Sequence, residues 1–272
     1  KVISIIKNYK PNLVICGHNN TLSRKTLIEI KKNYKSKVII WYEDALAPGG
    51  PDYKTSIKLL EKNQDLVDRY FVTTHPSTIK STIDKKKLHF MPVPVDKNIE
   101  SEQFYNQKKT KDLFFALSHG VNFGKLKKGV NDDRSKFIEK LIKEADGKVN
   151  FNILGLYKEE PKWNFELNSE IMKSKIALNL SRGLPAKYYS SNRIATLMGN
   201  GCLTAIDERV KYSHFFNKNE ILIYKNSKDL INKIMKIKDN TKLLKKISKN
   251  GKKKYFKIFS NIIVSQYLID KT

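Results

Sequence analysis

The sequence predicts an α/β protein made of parallel, helix-covered sheets in two halves. Short apolar runs such as VIIWY alternate along the 272 residues with segments of helical spacing. That pattern marks strands buried on both faces, joined by crossover helices. A polar, proline-marked stretch, Pro92–Lys111, breaks the alternation, which then restarts. The length suits about two domains, and 40% hydrophobic residues suffice for a core in each.

The elements follow in order. Val2–Tyr9 reads as a helix, Leu13–Cys16 as a strand, and Gly17-His18-Asn19-Asn20 as a turn. Ser23–Tyr34 is helical in spacing, with Thr21 or Ser23 as its cap. Strand Lys37–Tyr42 ends at Glu43-Asp44 and a Pro/Gly loop; helix Tyr53–Lys62, strand Val67–Thr73, helix Ser77–Asp84 and strand Leu88–Met91 come next. Beyond the break lie strand Leu113–Leu117, loop Ser118–Asp132, helix Arg134–Glu144 and strand Val149–Leu154. A longer loop with Pro161 and Trp163 leads to strand Lys175–Leu180. A basic loop, about two helical turns and strand Cys202–Ile206 follow. Strand Ile221–Tyr224 and helices Lys228–Ile237, Thr241–Tyr255 and Phe256–Ile269 close the pattern. The reading is two Rossmann-like domains facing a cleft, over residues 1–105 and 106–255, with 256–272 left over as a further helix.

Composition excludes more than it assigns. The net charge is +26, but six of the 53 basic residues are Arg and 47 are Lys, spread over many segments. Nucleic-acid surfaces favour Arg and interleave aromatics. A solvated surface accounts for the lysines, attraction to an anionic membrane face comes second, and no nucleic-acid partner is expected. No apolar run reaches the ~20 residues of a membrane span, and no signal peptide is visible. The chain starts at Lys1 rather than Met, so its first domain is expected to be incomplete. Cys16 and Cys202 sit in apolar strands, as free buried thiols of a reducing compartment do. The expected location is cytoplasmic, or peripheral to the inner face of the membrane. No Cys/His metal spacing, Ser-His-Asp arrangement or P-loop occurs.

The most informative segment is Ser181–Glu208, a strand–loop–helix–strand unit with a cationic loop at its helix start. Free backbone N–H groups and the helix dipole suit such a place to phosphate. Arg182, Lys187 and Arg193 bracket it, and the expected ligand is phosphorylated and nucleotide-like. Elsewhere, His18, Glu43 and Asp44 follow strands where ligands gather in open α/β sheets; each also reads as a turn or capping residue. His75 reads first as a helix entry. Ser118-His119-Gly120 ends a strand ahead of Lys125, Lys127 and Lys128, and Arg134 opens the next helix.

The block KYYSSNRIATLMGNGCLTAIDE, with Phe215-Phe216, Glu220–Tyr224 and Lys228-Asp229-Leu230, resembles the C-terminal domain of GT-B glycosyltransferases. Within them it is similar to the group 1, CgeB-like (spore-protein-like) branch, through Asn192, Arg193, Gly201, Leu203, Asp207, Glu208, Glu220 and Tyr224. The resemblance covers Leu113–Ile269; over Pro11–Asp96 it rests on architecture and on Gly17-His18. It implies transfer of a sugar from a nucleotide-diphosphate donor to a glycan, lipid or protein acceptor, as in cell-surface polysaccharide biosynthesis. It implies a hexosyltransferase-like enzyme with no cofactor and no metal. The final helix would cross back to the first domain. Donor diphosphate would then meet Arg182, Lys187, Tyr188, Ser190, Ser191, Asn192 and Arg193, with His119, Gly120, Arg134, Asp207 and Glu208 also on the donor side. His18, Glu43 or Asp44 would activate the acceptor hydroxyl. The sequence departs from the Glu-x7-Glu pattern of many retaining members: Tyr188 and Thr196 stand at those positions, leaving Asp207 and Glu208 as substitutes and the stereochemistry open. A non-catalytic nucleotide- or glycan-binding protein of this fold, or a basic protein bound to nucleic acid or anionic lipid, stays as an alternative.

Overall fold

The computed structural model describes residues 1–17, 22–50, 52–117, 133–157 and 159–272. They form two compact units: Lys1–Val93, Ala186–Ser191 and Asn261–Thr272 make the first, Pro94–Pro185 and Asn192–Ser260 the second. The division falls at Val93/Pro94 instead of 105/106 because the intervening chain packs on the second unit. The Phe104 N–H donates to Asn200 O (2.8 Å), and the Phe104 ring is fully buried beside Phe114 and Leu197.

The first unit contains α1 (Val2–Tyr9), β1 (Leu13–Gly17), α2 (Arg24–Tyr34), β2 (Lys37–Tyr42), α3 (Tyr53–Glu61), β3 (Arg69–Val72) and β4 (Leu88–Phe90). Its strands lie in the order β1-β2-β3-β4, all parallel. The VIIWY run is apolar throughout because both faces are covered. Val38, Ile40 and Tyr42 pack with Leu27 and Ile30 of α2 and Ile57 and Leu60 of α3; Ile39 faces the other way, with Phe71 and Met91. Ser23 caps α2, its Oγ accepting from Thr26 N–H at 3.1 Å. Asp68 ties α2 to the sheet, accepting from Lys31 Nζ (2.7 Å) and Val38 N–H (2.6 Å). The helix expected over Ser77–Asp84 is replaced by a 3-10 turn, Pro76–Thr78. Its hydroxyls compete for the backbone: Thr78 Oγ1 donates to His75 O at 2.9 Å.

The second unit contains β5 (Lys111–Ala116), α4 (Asp133–Ala145), β6 (Phe151–Leu154), α5 (Asn164–Met172), β7 (Ser174–Asn179), α6 (Arg193–Gly199), β8 (Leu203–Asp207), β9 (Leu222–Tyr224), α7 (Ser227–Ile237) and α8 (Thr241–Phe259). Its parallel sheet runs β6-β5-β7-β8-β9. Leu113 and Phe115 face α4, α7 and α8 through Ile138, Leu141, Leu230 and Ile247; Phe114 and Ala177 face α5 and α6 through Ile171 and Leu197. Helix α5 lies where the sequence suggested a loop. Its apolar residues do not share one face: Phe165 is 79% exposed while Ile171 is buried.

On α5, burial raises the Glu170 carboxyl pKa, but Lys162 Nζ (2.8 Å), Lys173 Nζ (2.9 Å) and the Asn152 amide outweigh it and bring it to about 2. A carboxylate held below its ordinary value stabilises the fold fully above that value, and the contribution is lost as pH falls towards the folded pKa. Glu170→Gln is therefore expected to flatten the loss of stability between pH 4.5 and about 2. Urea unfolding of both proteins at several pH values across that window checks it.

The single helix expected over Phe256–Ile269 is two. Helix α8 ends at Phe259, Ser260 is extended, and α9 (Asn261–Lys271) returns to the first unit. Ser260 is of the residue type favoured to begin a new helix. In the first unit, Val264 and Leu268 of α9 cover Ile39, Phe71 and Met91, and Arg69 Nε donates to Lys271 O at 3.0 Å.

Candidate active site

In the second unit the chain runs from β5 out to β6, then returns to the far side of β5 as β7. The strand order reverses between β5 and β7, and ligands of open α/β sheets bind at the carboxyl ends of strands flanking such a reversal. Arg193, the first residue of α6, is pinned there. Its Nη1 donates to Leu180 O (2.9 Å), just past β7, and its Nη2 to Ala116 O (3.2 Å), the last residue of β5. The guanidinium carbon also sits 5.5 Å from the Phe115 ring centroid. One delocalised cation thus spans both sides of the reversal, oriented by two carbonyls and an aromatic face. The sequence singled out Arg193 as a cation; its anchoring partners were not anticipated, and no local pattern marks them.

The Gly-Asn-Gly stop lets α6 sit close to its neighbours. A Cβ on Gly199 would lie 2.6 Å from Glu100 Cγ, and one on Gly201, whose φ is +76°, 2.6 Å from the Tyr105 ring. Asn192 is exposed and its side chain makes no capping bond to α6. Arg182 is exposed.

The remaining donor-side residues are placed as follows. Asp207, 5% exposed at the end of β8, accepts from Arg209 Nε (2.9 Å) and Nη2 (2.7 Å) and from the Arg209 N–H (2.9 Å). It caps a 3-10 turn in the same way. Glu208 and Arg134 are half-buried. The Tyr224 ring, opposite Asp207 in the sheet register, is fully buried, and burial raises its hydroxyl pKa. His18, His119 and Gly120 lie outside the described residues, as do Lys125, Lys127 and Lys128.

Lys187, Tyr188, Ser190 and Ser191, expected beside Arg193 in the second domain, belong to the first compact unit. The physical reason is local packing. Lys187 O accepts from His75 N–H at 3.0 Å. The Tyr188 ring lies 4.8 Å from His75 and 5.0 Å from Phe90, with Lys187 Nζ 5.2 Å from its centroid. Ala186 and Tyr189 pack on Ala47, and Ser190 Oγ donates to Ser191 O at 3.2 Å. Tyr188 holds a left-handed φ of +64°, a conformation costly for a bulky residue and sustained only by surrounding contacts.

Glu43 is half-buried and Asp44 exposed just after β2, and Thr73 Oγ1 donates to Glu43 O at 2.9 Å. The order β1-β2-β3-β4 has no reversal. These two carboxylates follow the carboxyl end of β2, between the parallel neighbours β1 and β3, in a sheet without a switch point. Cys16 and Cys202 are buried free thiols, and burial pushes Cys202 up to about 11. Among the described residues, no group of three or more His, Cys, Asp or Glu side chains is arranged to hold a metal ion, and no helix is long and apolar enough to cross a membrane.

Comparison with known proteins bears on the family and the fold. The profile of the glycosyl transferase-like family matches residues 134–269, half of the chain. HepE from Anabaena, in complex with UDP and glucose, is 10% identical over 99% of this chain and 80% of its own, with a TM-score of 0.57. TarM, known from S. aureus, is 11% identical with a TM-score of 0.66; 99% of this chain matches 57% of TarM. Sucrose-phosphate synthase from Thermosynechococcus elongatus is 12% identical over 99% of this chain and 75% of its own, at 0.60. These likenesses are of fold. No curated protein sequence matches the chain. With α/β units on the fold of solved GT-B glycosyltransferases and a family match across half its length, this chain belongs to the glycosyl transferase-like family.

Proposed function

We propose that the protein transfers a sugar from a nucleoside-diphosphate donor to a hydroxyl of a glycan acceptor. The observation that carries this reading is Arg193, held at the strand reversal of the second unit by Ala116 O and Leu180 O, inside the family-matched region. A uridine nucleotide is the first donor to test, because HepE has been solved with UDP-glucose. A glycan comes before lipid or protein as acceptor, because a TarM variant has been solved with α-GlcNAc-glycerol and UDP.

In the proposed reaction the bond between the anomeric carbon and the diphosphate oxygen breaks, and its electron pair leaves with the diphosphate. A new bond forms from the acceptor oxygen to the anomeric carbon through an oxocarbenium-like state, as in glycoside chemistry generally. Charge grows on the departing diphosphate, and a fixed cation stabilises it most when it needs no reorganisation. Arg193 fills that role. The acceptor proton passes to a carboxylate or imidazole, with Glu43, Asp44 and His18 as the candidates. Protein cations take the place of a metal, so transfer proceeds in EDTA. Assignment to the CgeB-like branch rests on Asn192, Arg193, Gly201, Leu203, Asp207, Glu208, Glu220 and Tyr224 and belongs to this proposal.

The test is a panel of UDP-, GDP- and ADP-sugars in a thermal-shift assay, followed by nucleotide release with oligosaccharide acceptors in EDTA. Stabilisation by one donor class and acceptor-dependent release are expected. Stabilisation without release points to a non-catalytic binding protein, and no response to any nucleotide sugar overturns the reading.

A further inference from the structure

The opposite edge of the second unit's sheet, where β5 and β7 begin, carries a cavity of about 440 Å³. Five of its ten lining residues are lysines: Lys108, Lys109, Lys175, Lys242 and Lys245. No Asp or Glu lines it. Lysine accounts for 47 of the 272 residues, so composition alone would place fewer than two in such a lining.

These charges are poorly answered from within. Lys175 pairs with Asp112 at 2.8 Å and more loosely with Asp239 at 3.8 Å. Lys109 gives its ammonium to Met172 O at 2.8 Å, and burial lowers its pKa. Among the described residues, Lys108, Lys242 and Lys245 have no ion-pair or hydrogen-bond partner. Lys242 and Lys245 also stand near the start of the 19-residue α8, whose first turn carries no acid. A helix dipole disfavours cations there and favours an anion. Ser248, one turn further, lines the cavity at 5% exposure, and its hydroxyl has no hydrogen-bond partner among the described residues. The oxygen is reached from the cavity, so the hydroxyl can donate to an acceptor held there.

We propose that this cavity is a binding site for a phosphate-bearing anion, gripped by Lys108, Lys242 and Lys245 and oriented by the Ser248 hydroxyl. It is separate from the candidate active site. The six residues of β5 put this edge roughly 17 Å from the carbonyl that holds Arg193. A phosphate group brings several acceptor oxygens and more than one negative charge, matching several ammonium donors around one space. Such a group reaches the protein either as a free anion or on a phospholipid headgroup.

The experiment uses the full chain in two arms. Calorimetry with inorganic pyrophosphate reads the free anion; co-sedimentation with phosphatidylcholine vesicles, with and without phosphatidylglycerol, reads the headgroup. Four proteins are compared: wild type, Lys242→Gln/Lys245→Gln, Ser248→Ala, and a control pair on the exposed face of α8, Lys249→Gln/Lys253→Gln. The cavity pair is expected to weaken binding about tenfold or more and Ser248→Ala about threefold to tenfold, since hydrogen bonds to charged groups are the stronger class. The control pair should change it less than about twofold, because exposed charges act weakly at a distance. This pattern with pyrophosphate identifies a free anion, and with phosphatidylglycerol alone a headgroup. The proposal is overturned if neither probe binds, if the control pair loses as much as the cavity pair, or if Ser248→Ala leaves binding unchanged. Pyrophosphate held at Arg193 is common to all four proteins and does not generate the pattern.

Discussion

Replacing Arg193 with Ala is expected to lower kcat/KM by about 100-fold to 1000-fold, the range found when one fixed stabiliser of developing negative charge is removed. Nucleoside-diphosphate affinity should fall in parallel, because the cation meets the diphosphate in the ground state as well. The Arg193→Lys variant separates charge from geometry. A lysine keeps the charge but cannot bond Leu180 O and Ala116 O at once while holding a planar cation over Phe115. It is expected to recover less than about a tenth of the lost activity. Calorimetry with UDP and GDP on the three proteins decides the matter, and unchanged affinity in the Ala variant sinks the phosphate assignment. Both carbonyls lose a donor in the Ala variant and at least one does in the Lys variant, so a modest fall in melting temperature accompanies the functional loss without explaining it.

The largest effect on stability is expected from Gly251→Ala in the middle of α8. An exposed helix gains up to ~1 kcal/mol from that change. Here an added Cβ would stand 2.3 Å from Glu220 O and 3.3 Å from the Met198 side chain. The nearer atom is backbone, so α8 or the segment before β9 has to move. Forcing a methyl group into a filled site costs about 1–3 kcal/mol, and a backbone obstacle places this case at or beyond the upper end. The net expectation is a loss of about 2 kcal/mol, or roughly 4–8 °C in melting temperature for a unit of this size. Calorimetric melting measures it; a melting temperature equal to or above wild type would show that α8 does not approach the Glu220 carbonyl this closely.

The parallel strands were legible in the sequence because burial on both faces leaves few polar residues in them. The VIIWY run and the Lys175–Leu180 run could hardly be anything else. Helix α5 was not legible, since Phe165 points to solvent and the apolar stripe is incomplete. The break at Ser260 was hidden by apolar spacing that continues on either side of it. The same division holds at the site. Arg193 stood out because a cation at a polar helix start is a local pattern. Its partner Ala116 lies 77 residues away, a pairing set by strand order and not by spacing. The lysine cavity gathers residues from Lys108 to Lys245, and each looks like ordinary surface in its own neighbourhood.

The return of α9 to the first unit bears on how the chain is made. Ile39, Phe71 and Met91 are synthesised early, but Val264 and Leu268, which cover them, follow about 170 residues later. At ribosomal rates of 5–20 residues per second, that face of the sheet stays open for roughly 10–30 s. Throughout that interval the nascent first unit presents a bare apolar surface. Its maturation is therefore paced by translation of α9, and chaperone occupancy on stalled ribosomes should peak before Val264 emerges and fall once Leu268 clears the exit tunnel.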